Sequence, residues 1–500
     1  MSVSLLDRLL VAWDGSRDAV IEDAIVRIGR AVARPRGMLL LEGSDERRWY
    51  ELAATGDAGD VDRLLDVPWR TTALRVCNRV AELAKRPPDP RIARRLVACA
   101  RHFRSKADLA VHEAIAPVLR RIATPSIVPH LDALSAGRTY SFTQLYDGAR
   151  AACAAIAPTA PADAKLLDEV RARTGDGDDL AALWADVGAD PSDLARRAVL
   201  ADALDVANDP RGEFIQLQLA LAAGTADRKA RSRCDRLAAV HADMWLGALP
   251  LIEMRTARFA RGFPVAIETR AGRALTASLD RSEWATVEEL TLLDDCLDLG
   301  EVMRRLPLLR RIGLRASASL EGVTGTYPNI ESAACLTSWY PRRDLFPNLR
   351  VAGGNWNQQQ LASIHKASTS LGLDAVVHFG VAVGALREAA AMRATGPREL
   401  RFAFQGQRGF QATGWRVRVR RGSPVADLSL DAPTPRTDDV AHLPFQLADA
   451  GVRQLRVYLH PDVGHRAVRE SRAAFDRVAR YRGVVVTSDG APIDLGAPVG

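Results

Sequence analysis

The segment Trp415-Arg416-Val417-Arg418-Val419-Arg420-Arg421 alternates cations with valines. A period of two is that of an extended strand, and it places Arg416, Arg418 and Arg420 on one face. Guanidinium groups in a row beside an indole suit phosphates or carboxylates, so Trp415, Arg416, Arg418 and Arg420 form the candidate interaction surface. An edge strand that uses charge against aggregation gives the same pattern. A second group, Arg91, Arg94, Arg95, Arg101 and Arg104, falls at helical spacing and reads as the wet face of a helix.

Patterns for catalysis are sparse. His460-Pro461-Asp462-Val463-Gly464-His465 brings two imidazoles to one loop, with no third ligand nearby in sequence. His112-Glu113 lacks the second histidine that a zinc-protease helix carries, and neither a phosphate-binding glycine loop nor a hydrolase nucleophile elbow occurs. The six cysteines, at 77, 99, 153, 234, 296 and 335, form no C-x-x-C pair and read as buried free thiols. No catalytic residue, metal or cofactor is therefore nominated. The expectation is a non-enzymatic interaction protein whose partner is another protein. A nucleic-acid binder using Arg416 to Arg421 is the alternative, and an enzyme with an unrecognised site is the third reading.

These residues need a frame of several domains, because 500 residues exceed one core. Apolar residues at 47% and charged residues at 26% give a globular balance, which argues against wholesale disorder. The net charge of +7 is spread among interleaved acids and says little about partners. No apolar run is long enough for a membrane span, and the first residues lack the order of a secretory signal, so a cytoplasmic protein without a membrane partner is expected.

Residues 1–175 read as helical and HEAT-like. Leu5, Leu6, Leu9, Leu10 and Trp13 share one face, as do Val20, Ile21, Ile25, Ile28 and Val32. Asp89-Pro90 and Thr124-Pro125 mark helix starts. Gly56 and Gly59 punctuate two short helices. Small, acidic and breaker-rich segments at 158–163 and 174–179 mark the next boundary.

Residues 176–260 form a second helical module. It contains Asn208-Asp209-Pro210-Arg211-Gly212-Glu213-Phe214-Ile215-Gln216-Leu217-Gln218, then His241-Ala242-Asp243-Met244-Trp245-Leu246-Gly247, and is followed by Arg261-Gly262-Phe263-Pro264. Asp209-Pro210 is a strong helix start, and Gly212 permits close packing in the first turn. Asp202 and Arg211 are placed to pair between two helices. This run, about 178 to 264, resembles the bacterial repeat-companion domain, a helical module that precedes leucine-rich-repeat-like repeats. Leu200 and Ala203 stand where that family usually has Tyr and Trp. The resemblance implies an interaction protein and no enzymatic activity.

From 261 to 500 the expected fold is an α/β leucine-rich-repeat-like solenoid. Apolar alternations begin at Val265, Leu290, Ile312, Leu349, Val376, Leu400, Leu428, Leu455 and Val484. Their spacing is that of such repeats apart from the wide gap between Ile312 and Leu349, where an insertion around Tyr327 to Tyr340 is expected. Val287, Leu290 and Leu292 set the pattern, Phe346, Leu349 and Val351 begin another copy, and a regular asparagine ladder is largely absent. Helical returns are expected at 298–306, 358–371, 383–395 and 466–481.

Overall fold

The computed structural model describes residues 4–37, 46–103, 106–135, 140–156, 164–174, 178–246, 249, 252–254, 256–270, 272–294, 298–315, 320–335, 337, 339–356, 358–379, 398–403, 415–421, 425–430, 453–459, 485–488 and 491–492. The chain divides into two compact units, Met1–Val287 and Glu288–Gly500. The first is mainly helical and the second is dominated by parallel strands.

In the first unit the apolar faces are buried as the periodicity requires. Leu5, Leu6, Leu9 and Trp13 of helix Leu5–Ser16 are all in the core, as are Ile21, Ile25 and Ile28 of Ala19–Ala33. Leu10 and Val32 are partly buried against the same core, and Val20 is the exception at 53% exposed. It sits about 100° around the helix from Ile21, on the first turn, and Ala24 takes the core position instead. Helices Arg47–Ala54 and Val61–Leu65 flank the glycines at 56 and 59, and both Trp49 and Leu64 are buried.

The Asp89 carboxylate caps helix Pro90–Ala100 by accepting from the Arg91 N–H at 3.0 Å. Thr124 does not cap. Its hydroxyl donates to Glu22, and a short 3-10 turn, Pro125–Ile127, precedes helix Val128–Ser135. Much of the 158–163 and 174–179 segments lies outside the described residues, as does Arg104.

Helices Asp178–Ala189, Leu194–Val206, Pro210–Ala222 and Arg228–Trp245 follow. They lead to a tight hairpin of β1 (Arg258–Ala260) and β2 (Phe263–Thr269).

The second unit runs through β3 (Glu289–Leu292), β4 (Arg311–Leu314), β5 (Ser332–Cys335), β6 (Val351–Gly354), β7 (Ala375–Phe379) and β8 (Glu399–Ala403), all parallel. β9 (Trp415–Arg420) is antiparallel to both β8 and β10 (Val425–Leu430). β11 (Gln454–Leu459) and β12 (Val485–Ser488) continue in parallel, and β13 (Ala491–Pro492) turns back. Within this unit each described strand pairs with the next in sequence.

The wide gap contains a strand and not an insertion alone. β5 lies between β4 and β6, with Ile312, Ala333 and Ala352 in register. The copy at Phe346 is also displaced by three residues. Ala352 and Gly354 occupy the inward strand positions of Ile312 and Leu314, so Leu349 stands where Leu309 does. Helices Leu299–Arg305 and Gln358–Ala367 agree with two expected returns, and the other two fall outside the described residues.

A regular asparagine ladder is absent among the described residues, but two asparagines bond across successive turns before the strands. Asn329 Nδ2 donates to the Pro307 carbonyl at 3.1 Å, and Asn348 Nδ2 donates to the Pro328 carbonyl at 2.9 Å. Each of these bonds satisfies a backbone carbonyl in the turn ahead of a strand.

Candidate functional site

Two places gather charge: the strand entrances of the second unit, and the interior of the first.

Arginines and acids alternate just before the parallel strands: Glu288, Arg310, Glu331, Arg350, Asp374 and Arg398. Their backbones are stitched together, since the amides of 310, 331, 350 and 374 donate to the carbonyls of 288, 310, 331 and 350. Opposite charges on neighbouring strands face each other across such a ladder, with Arg310 to Glu331 at 3.8 Å and Arg398 to Asp374 at 3.7 Å. Beside this row lies a groove of about 410 Å³. Ser332, Val351 and Ala375 are among the small residues lining it, and Arg311, Arg350, Arg398 and Arg420 stand around it with Glu331 and Asp374. Arg350 makes no ion pair among the described residues.

The predicted surface meets this groove at one residue. Arg420 lines it, half exposed, 3.9 Å from Asp427. The register pairs Arg418 with Arg401 on one side and Asp427 on the other, while Arg416 lies between Ala403 and Ser429. The side chains of Trp415, Arg416 and Arg418 lie outside the described residues. β9 is hydrogen-bonded on both sides, so it is not an edge strand, and protection of a free edge does not explain its arginines. Arg311, Arg350 and Arg398 belong to different strand entrances, and no local motif announces them. The signal that finds them is the recurrence of a charged residue just before each alternation.

In the first unit the reading of Arg91, Arg95 and Arg101 as a wet face is overturned. All three are buried. Arg91 pairs with Asp62 and Asp89, both at 2.6 Å, and donates to the Ala58 carbonyl. Arg95 pairs with Asp243 at 2.7 Å, and Arg101 donates to the carbonyls of Leu246 and Leu249. Arg94 pairs with Glu22 and Asp23. A helical stripe of arginines is compatible with either solvent or a set of fixed acceptors, and here the acceptors come from segments distant in sequence.

The motif-bearing helices close around aromatic rings. Phe214, Trp245 and Phe259 contact one another, and His241 stacks on Trp245. Arg211 does not pair with Asp202, which accepts from Gln216 Nε2 at 2.9 Å. The guanidinium instead lies over Trp184 at 4.4 Å and Phe263 at 5.3 Å, with Nε and Nη2 buried and unpartnered. Burial lowers its pKa to about 10 despite Asp209. Ring quadrupoles recover part of the lost hydration. Arg211→Met, which keeps the aliphatic packing and removes the desolvated charge, is expected to leave the unfolding midpoint unchanged or raise it. Arg211→Ala should lower stability by about 2 kcal/mol through lost packing. Equal losses for the two variants in urea titrations would show that the ring contacts outweigh desolvation.

His112 has a structural role. Its Nδ1 lies 2.7 Å from the Tyr146 hydroxyl and its Nε2 lies 2.8 Å from the Phe103 carbonyl. His460 and His465 lie outside the described residues. Cys99, Cys153, Cys234 and Cys335 are buried free thiols, and Cys77 is partly buried. Among the described residues no helix is long and apolar enough to cross a membrane.

No protein-family model matches this chain, and no curated protein or solved structure is found to be similar to it.

Proposed function

We propose that this chain is a non-enzymatic scaffold, cytoplasmic in setting, whose second unit is a leucine-rich-repeat-like solenoid that binds an acidic segment of another protein. The HEAT-like helices and the repeat-companion-like module are its supporting part in this reading. The observation that carries it is the groove at the strand entrances. Four arginines stand around a patch of small side chains against two carboxylates, and Arg350 has no ion-pair partner among the described residues. A shallow site with a surplus of guanidinium groups suits carboxylates presented by an extended chain. Glu331 and Asp374 among those arginines disfavour a polyphosphate, whose charge is uniform.

Fluorescence anisotropy with a glutamate-rich peptide of about 12 residues tests this, with a random duplex of about 20 base pairs in parallel. Peptide binding should weaken about tenfold or more in Arg350→Glu/Arg398→Glu, as expected when two charge-assisted contacts are reversed. An unchanged affinity, or no peptide binding, would refute the groove. Duplex binding with a steep dependence on salt, lost in the same variant, would transfer the site to nucleic acid.

A further inference from the structure

The first unit holds a cavity of about 400 Å³ within its helices, in the size range of small-molecule sites. Nearly every charge that lines it is already matched. Arg30 pairs with Asp209 at 2.6 Å, Arg233 with Glu213 at 2.6 Å, and Arg34 with Asp205 at 3.1 Å. Asp62 and Arg95 are matched as described above.

Asp66 is different. It caps the end of helix Val61–Leu65, lines the cavity, and has no arginine within ion-pair distance among the described residues. The cationic-type group within 4 Å of it among the described residues is His241 Nδ1 at 3.8 Å, beyond a hydrogen bond. His241 is itself more than nine-tenths buried, lines the same cavity, and makes no hydrogen bond among the described residues. A buried imidazole and a carboxyl about a third exposed thus face the cavity side by side, both with hydrogen-bonding capacity that no protein group takes up among the described residues.

We propose that this cavity binds a small organic cation, a guanidinium or primary ammonium, seated on the Asp66 carboxylate with the neutral His241 ring as a second acceptor. A cation with several N–H donors satisfies both groups at once. An anion would meet Asp66, Asp62 and Asp209, and it would have to break an existing ion pair to reach Arg30.

The electrostatics agree with the geometry. Burial and then Asp62 raise the Asp66 pKa to about 7, with Asp209 in the same sense and Arg30 and Arg95 against them. Burial, then Arg95 and Arg30, lower the His241 pKa to about 3, so the ring is neutral at neutral pH. Arg233, from the same helix as His241, also feels Asp66. A bound cation requires the ionised carboxylate, so binding should expel a proton and strengthen as pH rises. Between pH 6 and 8 the ionised fraction rises about tenfold, and the apparent Kd should fall by the same factor.

The test is calorimetric titration of the full chain with agmatine, which carries both a guanidinium and an ammonium. The expected result is saturable binding, about tenfold tighter at pH 8 than at pH 6, with proton release visible in buffers of different ionisation enthalpy. Asp66→Asn should weaken it at least tenfold. Absence of binding up to about 10 mM agmatine overturns the proposal. So does equal affinity in Asp66→Asn, or a wild-type affinity that does not change between pH 6 and 8. The last measurement needs no variant, so a poorly folding Asp66→Asn leaves the question decidable.

Discussion

Asp243→Asn is expected to cost the first unit about 3–5 kcal/mol, the penalty for removing one member of a buried ion pair. Arg95, on helix Pro90–Ala100, and Asp243, on helix Arg228–Trp245, are both more than nine-tenths buried and meet at 2.7 Å. Most of the remaining bonding capacity is used, although Arg95 Nε is buried without a partner among the described residues. Arg95 Nη2 donates to the Val240 carbonyl at 2.8 Å and the Val67 carbonyl at 3.2 Å. Asp243 accepts from the Met244 amide and lies 3.2 Å from His102 Nε2. Burial raises the Asp243 pKa, and Arg95 and His102 overcome this to hold it well below the usual carboxylate range. Its contribution is thus present above the unfolded pKa, near 4, and is lost as pH falls below that.

The asparagine would leave a guanidinium charge in the interior with only carbonyls to solvate it. Arg95→Met/Asp243→Leu removes both charges and should recover most of the loss, because the pair's attraction and its desolvation nearly cancel. Urea unfolding of the full chain, followed by tryptophan fluorescence at pH 7, measures both. A loss below about 1 kcal/mol for Asp243→Asn would show that water reaches the pair and that its burial is nominal.

This pair also marks where the sequence stops being legible. Helix starts were readable because capping is local: Asp89-Pro90 and Asp209-Pro210 each carry acceptor and proline within two residues, and both cap as expected. Glycine at 212 was readable for the same reason, since a Cβ there would lie 2.6 Å from the Ala201 carbonyl oxygen of the neighbouring helix. The burial of Arg95 was not readable, because Asp243 lies 148 residues away and periodicity shows only that the arginines share a face.

The strand β5 failed for another reason. Its inward residues are Ala333 and Cys335, and those of β6 are Ala352 and Gly354, where the repeat pattern expects large aliphatics. The space is filled from outside the strands. A Cβ on Gly354 would lie 2.4 Å from the ring of Trp356, whose Nε1 donates to the Trp339 carbonyl, and Trp339 Nε1 donates to the Gly353 carbonyl. The core volume is conserved while its residues move to the loops, so a reading based on strand leucines loses the strand. The cavity around Asp66 and His241 was equally hidden, since its walls come from helices that no local pattern brings together.

Gly262→Ala should destabilise the first unit by about 2–4 kcal/mol, combining backbone strain with overpacking. The hairpin between β1 and β2 turns through Arg261 at φ 54° and Gly262 at φ 85°. Two successive left-handed residues match the twist of a two-residue hairpin and favour glycine at the second. Space is the larger obstacle. A Cβ on Gly262 would fall 2.2 Å from Ile215 Cγ1 and 2.9 Å from Ile215 Cα, so rotating the isoleucine cannot clear it. The Gly262 amide also donates to Gln218 Oε1 at 2.7 Å, which fixes the turn against helix Pro210–Ala222.

Gly56 provides the control. Its φ is 73°, but a Cβ there meets nothing within 4 Å, so Gly56→Ala should cost only the strain, about 1 kcal/mol. The difference between the two alanine variants in urea isolates the clash. Ile215→Val should relieve little of it, because the obstructing Cα and Cβ remain. A double variant that restored wild-type stability would show that the turn moves as a body, and that the close approach of Gly262 to helix Pro210–Ala222 does not determine how this hairpin is held.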